Sequence, residues 1–149
     1  MEDAQTAGLA VIYQDVQYLK PYARNARTHS KRQIHQIADS IKAFGFTNPI
    51  LTNGSRTIVA GHGRVEAAKL LGMNKVPTIR LENLNEDQVR AYILADNKLA
   101  EKAGWNNEIL AIELQHLTSV DLGFEVTLTG FEIPEIDLIL LTVAPHFFA

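Results

Sequence analysis

Four consecutive residues, Gly61-His62-Gly63-Arg64, follow the β-branched run Thr57-Ile58-Val59-Ala60 and precede Val65, Ala68 and Leu71 at helical spacing. Strand, glycine turn and helix in that order suit an anion. The first turn of a helix has unpaired backbone N–H groups and the positive end of the helix dipole. Gly61 and Gly63 allow a positive φ and close approach of a ligand, and Arg64 offers a forked donor matched to phosphate oxygens. His62 is the nearby side chain able to move a proton near neutral pH. Two glycines after a strand more often make an ordinary turn, so it is the context of this quartet that points to phosphate.

Two further segments carry chemistry. Val89, Ile93, Asp96, Asn97 and Ala100 share one face at spacings of three and four, so Asp96 and Asn97 interrupt an apolar stripe. Polar groups on such a face need partners. Either they hold a cation, their oxygens suiting a magnesium ion that bridges to substrate phosphates, or they satisfy buried backbone or pair with Arg64 or Arg90. The loop Arg24-Asn25-Ala26-Arg27-Thr28-His29 places two arginines and a histidine just before a helix start, where they can clamp phosphate or simply be solvated. His35, His116 and His146 have no metal-ligand spacing and read as structural.

Composition narrows the classes. The chain has 149 residues, no cysteine and an apolar fraction of 46%. That length suits one domain with an ordinary core, and the missing cysteine excludes disulfides, thiolate metal sites and thiol catalysis. No apolar run is long enough to span a membrane and Met1-Glu2-Asp3 does not open a secretory signal, so a cytoplasmic protein is expected. The net charge of −3 is unevenly spread: Val16 to Ala38 holds five cations (Lys20, Arg24, Arg27, Lys31, Arg32) and no acid, whereas Glu101 onward holds eight acids and only Lys102. The pattern suggests a local anion site, or two ordinary solvated surfaces.

The elements that must position these groups follow from local signals. Residues 1–15 read as a flexible leader and Val16 to Leu19 as a strand ended by Pro21. Ser30 with Gln33 has the form of a capping box for a helix from Lys31 to Phe44, closed by Gly45. Pro49 to Thr52 and Thr57 to Ala60 flank Asn53-Gly54 as a hairpin. A helix runs from the glycine turn to Gly72, and Lys75 to Leu81 forms a strand that Pro77 places at an edge or entry. Asn85 and Asn106 cap helices to about Ala103 and Leu117, and Pro134 opens a last helix through Leu141. The class is α+β, a small mixed β-sheet with packed helices and a helical C-terminal half: a domain over 16–141 with a tail at 142–149.

Taken in order, Tyr18-Leu19-Lys20-Pro21, Arg24 to His29, Ile37 to Ile41, Gly45-Phe46-Thr47-Asn48-Pro49-Ile50, Ala60 to Arg64, Ala67-Ala68, Leu71-Gly72 and Ala95-Asp96-Asn97-Lys98 resemble the ParB/sulfiredoxin superfamily. More narrowly they are similar to ParB-like nuclease domains found ahead of DNA methyltransferase domains in phage and bacterial proteins. The similarity spans about Val16 to Leu141. It implies a nucleoside triphosphate on the glycine-arginine turn, where Gly61, Arg64 and Ala67 match the family, and with the reading of the residues themselves the candidate binding set is Arg24, Asn25, Arg27, Gly61, His62, Gly63 and Arg64. It further implies magnesium near Asp96 and Asn97, with Asp standing where Glu is usual. His62, Gly63 and Glu66 replace the Glu, Arg and Arg usual in the partitioning branch, which puts cytidine specificity and clamp formation in question. Sulfiredoxins carry a catalytic cysteine where His62 stands, so their reaction is not available.

The leading expectation is a nucleotide-binding domain of DNA metabolism, with metal-dependent nuclease or nucleoside triphosphatase chemistry in which His62 and Asp96 are the catalytic candidates. The other is a non-catalytic DNA-binding or adaptor module serving a methyltransferase, with Lys20 to Arg32 on the DNA backbone. A small-molecule kinase ranks third. Neither a methyltransferase motif nor the helix-turn-helix signature of partitioning proteins is evident, and residues 143–149 do not read as an approach to a methyltransferase.

Overall fold

The computed structural model describes residues 8–25 and 27–142. The chain divides into two compact units, Met1–Glu101 and Lys102–Ala149. The first holds strands β1 (Val11–Asp15), β2 (Ile50–Thr52), β3 (Ile58–Ala60) and β4 (Lys75–Arg80), and helices α1 (Lys31–Phe44), α2 (His62–Leu70) and α3 (Glu86–Lys102), whose last residue crosses the division. The second holds α4 (Asn107–Ser119), a 3-10 turn at Val126–Thr129 and α5 (Ile133–Thr142).

The strands form one mixed sheet in the order β1-β4-β2-β3. β1 runs antiparallel to β4, β4 parallel to β2, and β2 antiparallel to β3. The α+β class with a small mixed sheet is therefore as expected. Two strand expectations are corrected. The first strand is Val11–Asp15, inside the expected leader, and Val16–Tyr18 is a 3-10 turn. Val16 and Leu19, three residues apart, are both buried, as the period of that turn requires. β1 was illegible because Val11, Ile12 and Tyr13 are all exposed on an edge strand, leaving no alternation to read. The rest of the leader, residues 1–7, and most of the tail, 143–149, lie outside the described residues, as does Ala26.

The second correction concerns Pro77, which sits in β4, an interior strand. Pairing with β2 begins only at Thr78, so the donor that proline lacks costs no bond to β2.

Local signals place the other elements well. The Ser30 hydroxyl accepts from the Gln33 N–H (3.1 Å), and Gly45 ends α1 at φ +86°. The return half of that box is not made: the Gln33 amide oxygen takes His29 Nδ1 instead (3.0 Å). Asn85 and Gln88 close a complete box on α3, at 2.8 and 2.9 Å. Asn106 caps α4 through the N–H groups of Glu108 and Ile109. In the hairpin the Asn53 side chain accepts from Ser55 and Thr57, and Arg56 takes φ +61°.

Two clusters make the core of the first unit. Val16, Leu19, Ile50, Ile58, Val65, Ala68 and Val76 pack together, and Val59, Val89 and Ile93 gather Tyr22, Leu51, Leu81 and Tyr92. The second cluster seats the front half of α3 against β3, which brings Asp96 and Asn97, one turn on, to the glycine turn. In the second unit Leu110, Leu114 and Ile136 pack with Val126, Phe131, Ile139 and Leu140, and Trp105 meets Phe131 edge-on at 5.2 Å. No helix among the described residues is long and apolar enough to cross a membrane.

Candidate functional site

Gly61 caps α2 in the left-handed conformation, φ +104° and ψ +24°, so the chain leaves β3 and enters the helix within one residue. A Cβ there would stand 2.9 Å from the Arg64 Nη2 and 3.2 Å from Ile50 Cγ1. Arg64 thus folds back over the turn, its Nη2 donating to the Pro49 carbonyl (3.1 Å). Its Nε is buried with no hydrogen-bond partner. An unpaired guanidinium nitrogen is costly inside a protein, and an anion in the cleft is one way to satisfy it. Burial lowers the Arg64 pKa and the carboxylate of Asp96 opposes that shift, which places Asp96 within electrostatic reach.

Gly63 is needed for a different reason. A side chain there would meet Ile37 Cδ1 at 2.9 Å and the His29 ring at 3.1 Å. The loop before α1 therefore lies directly on the turn. A second tie holds its other end: the Tyr22 N–H donates to His62 Nε2 (3.1 Å). Nε2 is committed as an acceptor, so the neutral ring carries its proton on Nδ1, and any proton transfer by His62 falls to that atom. Its first geometric role is to pin the loop to the turn.

Burial lowers the His62 pKa, the nearby His29 lowers it further, and Glu66 opposes both. The unfolded chain thus binds more protons than the folded one just below the ordinary histidine value of about 6.5, and stability is lost as pH falls from there through the folded pKa. Thermal melts between about pH 7.5 and 5.5 should show this acid limb, and His62→Gln should flatten it. An equal slope in the variant would assign the limb to another group.

The cleft has a volume of about 260 Å³ and is lined by Asn25, Arg27, His29, Ile37, Val59, Ala60, Gly61, His62, Gly63, Arg64, Asp96, Asn97 and Ala100. The structure thus brings together every expected site residue except Arg24, which is exposed in the same loop and does not line the cleft. Asp96 is exposed at the cleft edge and Asn97 half-buried, its Nδ2 donating to the Ile93 carbonyl (2.8 Å). That bond commits the amide nitrogen and leaves the amide oxygen as the group available to a cation. Arg27 also reaches Glu101, at 3.7 Å, a surface pair of small energetic weight. Burial and the Asp96 charge together raise the Tyr92 phenol.

Sequence reasoning did not find three supports of this site: the Tyr22 N–H, the Pro49 carbonyl and the Ile37 side chain. Each acts across the chain through backbone or packing, and none has a local signal.

Comparison with known proteins gives two family matches. The ParB N-terminal domain model matches residues 2–98, and the ParB-methyltransferase HTH domain model matches residues 108–146. The second describes a helix-turn-helix of the methyltransferase-associated kind, a different signature from the partitioning type that was expected to be absent. It was hidden because Val120 to Glu132 separates the helices by much more than a short glycine turn. Among curated relatives, the Escherichia coli ParB-like nuclease domain-containing protein YnaK is 51% identical over 80 residues, covering 54% of this chain and 92% of YnaK. A probable chromosome-partitioning protein ParB from Treponema pallidum is 29% identical over 140 residues, and the chain spans 43% of it. A crystal structure of C-terminally truncated ParB from Caulobacter crescentus complexed with CTP-gamma-S aligns with TM-score 0.63 at 24% identity, over 72% of this chain and 62% of that one. The form of that protein complexed to the centromeric parS site aligns with TM-score 0.50 at 18% identity, over 92% and 76%. With the N-terminal domain model matching more than half of this chain and YnaK spanned almost entirely, this chain belongs to the ParB N-terminal domain family.

Proposed function

We propose that the first unit binds a nucleoside triphosphate with magnesium and serves DNA metabolism in the cytoplasm. The observation that carries this reading is the cleft itself, in which Arg64, with a buried unpaired Nε, and the glycine-capped start of α2 face Asp96 and Asn97. Its volume lies below the roughly 300–1,000 Å³ typical of pockets enclosing a whole small molecule. It therefore takes the phosphate end and leaves the base to be met outside. The Caulobacter relative holding CTP-gamma-S supports the ligand class.

The residues fit a magnesium ion in part. Asp96 and the Asn97 oxygen supply two ligands at one edge, and among the described residues no group of three His, Cys, Asp or Glu could hold a metal without help. Magnesium commonly takes one or two protein ligands and completes its shell with water and substrate phosphates. Bound there, it would neutralise developing phosphate charge. The protein's own work is to bind and orient: α2 and Arg64 hold the phosphates, His29 and Arg27 cover them from the loop, and His62 keeps that loop in place. Cleavage of a phosphodiester or phosphoanhydride bond, with His62 Nδ1 handling a proton, is the enzymatic form of this reading.

The second reading, an adaptor that works with a DNA methyltransferase, is favoured by the likeness of residues 108–146 to the ParB-methyltransferase HTH domain. Isothermal titration with ATP, CTP, GTP and UTP in magnesium separates the two. We expect saturable binding of at least one nucleotide, with Asp96→Ala weakening it about tenfold in magnesium and little in EDTA, the loss of one metal-bridged contact being worth about 1.4 kcal/mol. Absence of binding by all four would leave the adaptor ahead. Nuclease activity of the wild type no greater than that of Asp96→Ala would remove the catalytic form.

A further inference from the structure

The segment that resembles a helix-turn-helix domain has a charge pattern opposed to DNA. After Lys102 the sequence has no lysine or arginine, and it carries seven carboxylates at Glu108, Glu113, Asp121, Glu125, Glu132, Glu135 and Asp137. Affinity for DNA comes chiefly from cations that displace counterions on phosphate. Helix N-termini can substitute for cations by offering backbone N–H groups to phosphate. Here both are compromised. Glu108 lies in the first turn of α4 and Glu135 in that of α5, and the Asn106 side chain already occupies the N–H groups of Glu108 and Ile109.

Base reading fares no better. α5, Ile133 to Thr142, contains no Arg, Lys, Asn or Gln, the side chains that address base edges in the major groove, and α4 offers only Asn107 and Gln115. The hydroxyl donor of α5, Thr142, is turned onto the Leu138 carbonyl (2.7 Å). Its most exposed apolar positions are Leu138, 62% exposed, and Leu141, 74% exposed, beside the exposed carboxylates of Glu135 and Asp137.

Cations gather on the first unit, in an arrangement the sequence alone does not display. A parallel bridge pairs Lys20 with Thr57, and the Lys20 N–H donates to the Arg56 carbonyl (2.9 Å), so the hairpin tip joins the basic loop. The Arg56 guanidinium stands 5.7 Å over the ring of Tyr18, itself half-exposed. Lys20 and Arg24 are exposed, and none of Lys20, Arg24 and Arg56 lines the nucleotide cleft.

We propose that DNA backbone is held by Lys20, Arg24 and Arg56 of the first unit, and that the helical unit makes no DNA contact despite its likeness to a helix-turn-helix domain. This rests on the DNA-linked reading above. The test is fluorescence anisotropy of the whole chain with a labelled duplex of mixed sequence across a salt series, with circular dichroism to verify folding. The combined variant Lys20→Glu, Arg24→Glu and Arg56→Glu should bind at least tenfold more weakly. Its slope of log affinity against log salt should be shallower by about 2.7, at about 0.9 per phosphate contact. Leu138→Ser with Leu141→Ser should bind DNA within about twofold of wild type, as a surface change on a unit that makes no DNA contact. Loss of binding in the leucine variant with retention in the charge-reversed one would overturn the assignment while keeping DNA as partner. If wild type binds no DNA at low salt, the DNA-linked reading fails and the assignment with it, and nucleotide titration of the same preparation stays an independent readout.

Discussion

Arg64→Ala should weaken nucleotide triphosphate binding about 100-fold and leave the fold intact. The guanidinium sits where α2 begins, and charge-assisted hydrogen bonds to phosphate contribute about 1.5–3 kcal/mol each, so losing a forked pair reaches about 3 kcal/mol, or two decades in affinity. The cost to stability is smaller. The Pro49 carbonyl loses its donor, but a buried Nε that lacks a partner is removed as well. We therefore expect a melting temperature within a few degrees of wild type alongside nearly abolished binding in isothermal titration. Arg64→Lys keeps the charge and loses the fork, and should recover only about one decade. Binding unchanged in Arg64→Ala would separate the cleft from any phosphate role.

The second large effect is expected at Gly61. Alanine there must take φ +104°, outside the region an L residue occupies comfortably, and its Cβ would press within 3 Å of the Arg64 guanidinium and close to Ile50. A backbone penalty of about 1–2 kcal/mol plus displacement of Arg64 should lower the melting temperature by roughly 10 °C, at about 4–8 °C per kcal/mol for a domain of this size. Nucleotide binding should fall with it, because Arg64 can no longer lie over the turn. Gly72→Ala is the matched control. Its φ is also positive, at +71°, but a Cβ there meets nothing within 4 Å. That variant should lose about 1 kcal/mol of stability and bind nucleotide normally. Equal effects at both positions would mean that backbone strain, and not the seating of Arg64, decides the outcome.

His62 and Gly63 stand where the resemblance to the partitioning branch leads one to expect Glu and Arg, and the structure gives both residues a use. With glycine at 63 the loop carrying Asn25, Arg27 and His29 can rest on the turn, and with histidine at 62 it can be tied there through the Tyr22 N–H. A bulky residue at 63 would hold Ile37 and His29 away. The cleft of this chain is thus closed from the loop side by a pair of histidines, one accepting a backbone N–H and one packed on the glycine.

Much of this protein follows from sequence by itself. The helices at Lys31–Phe44, Glu86–Lys102, Asn107–Ser119 and Ile133–Thr142, the hairpin around Asn53-Gly54, and the glycine turn ahead of α2 were all legible. Their determinants are local: a side chain caps an N–H three residues away, glycine ends a helix, and apolar residues recur with the helical period. That Asp96 and Asn97 differ from their apolar neighbours was legible as well. Tertiary structure alone decided what those polar residues face. It placed β4 between β1 and β2, recruited Val11 to Asp15 as an edge strand, set Arg64 on the Pro49 carbonyl, hung the basic loop on His62 and brought Arg56 beside Lys20. Each of these joins residues far apart in the chain, where the energy comes from burying apolar area and pairing buried polar groups, and neither quantity exists until the elements have packed.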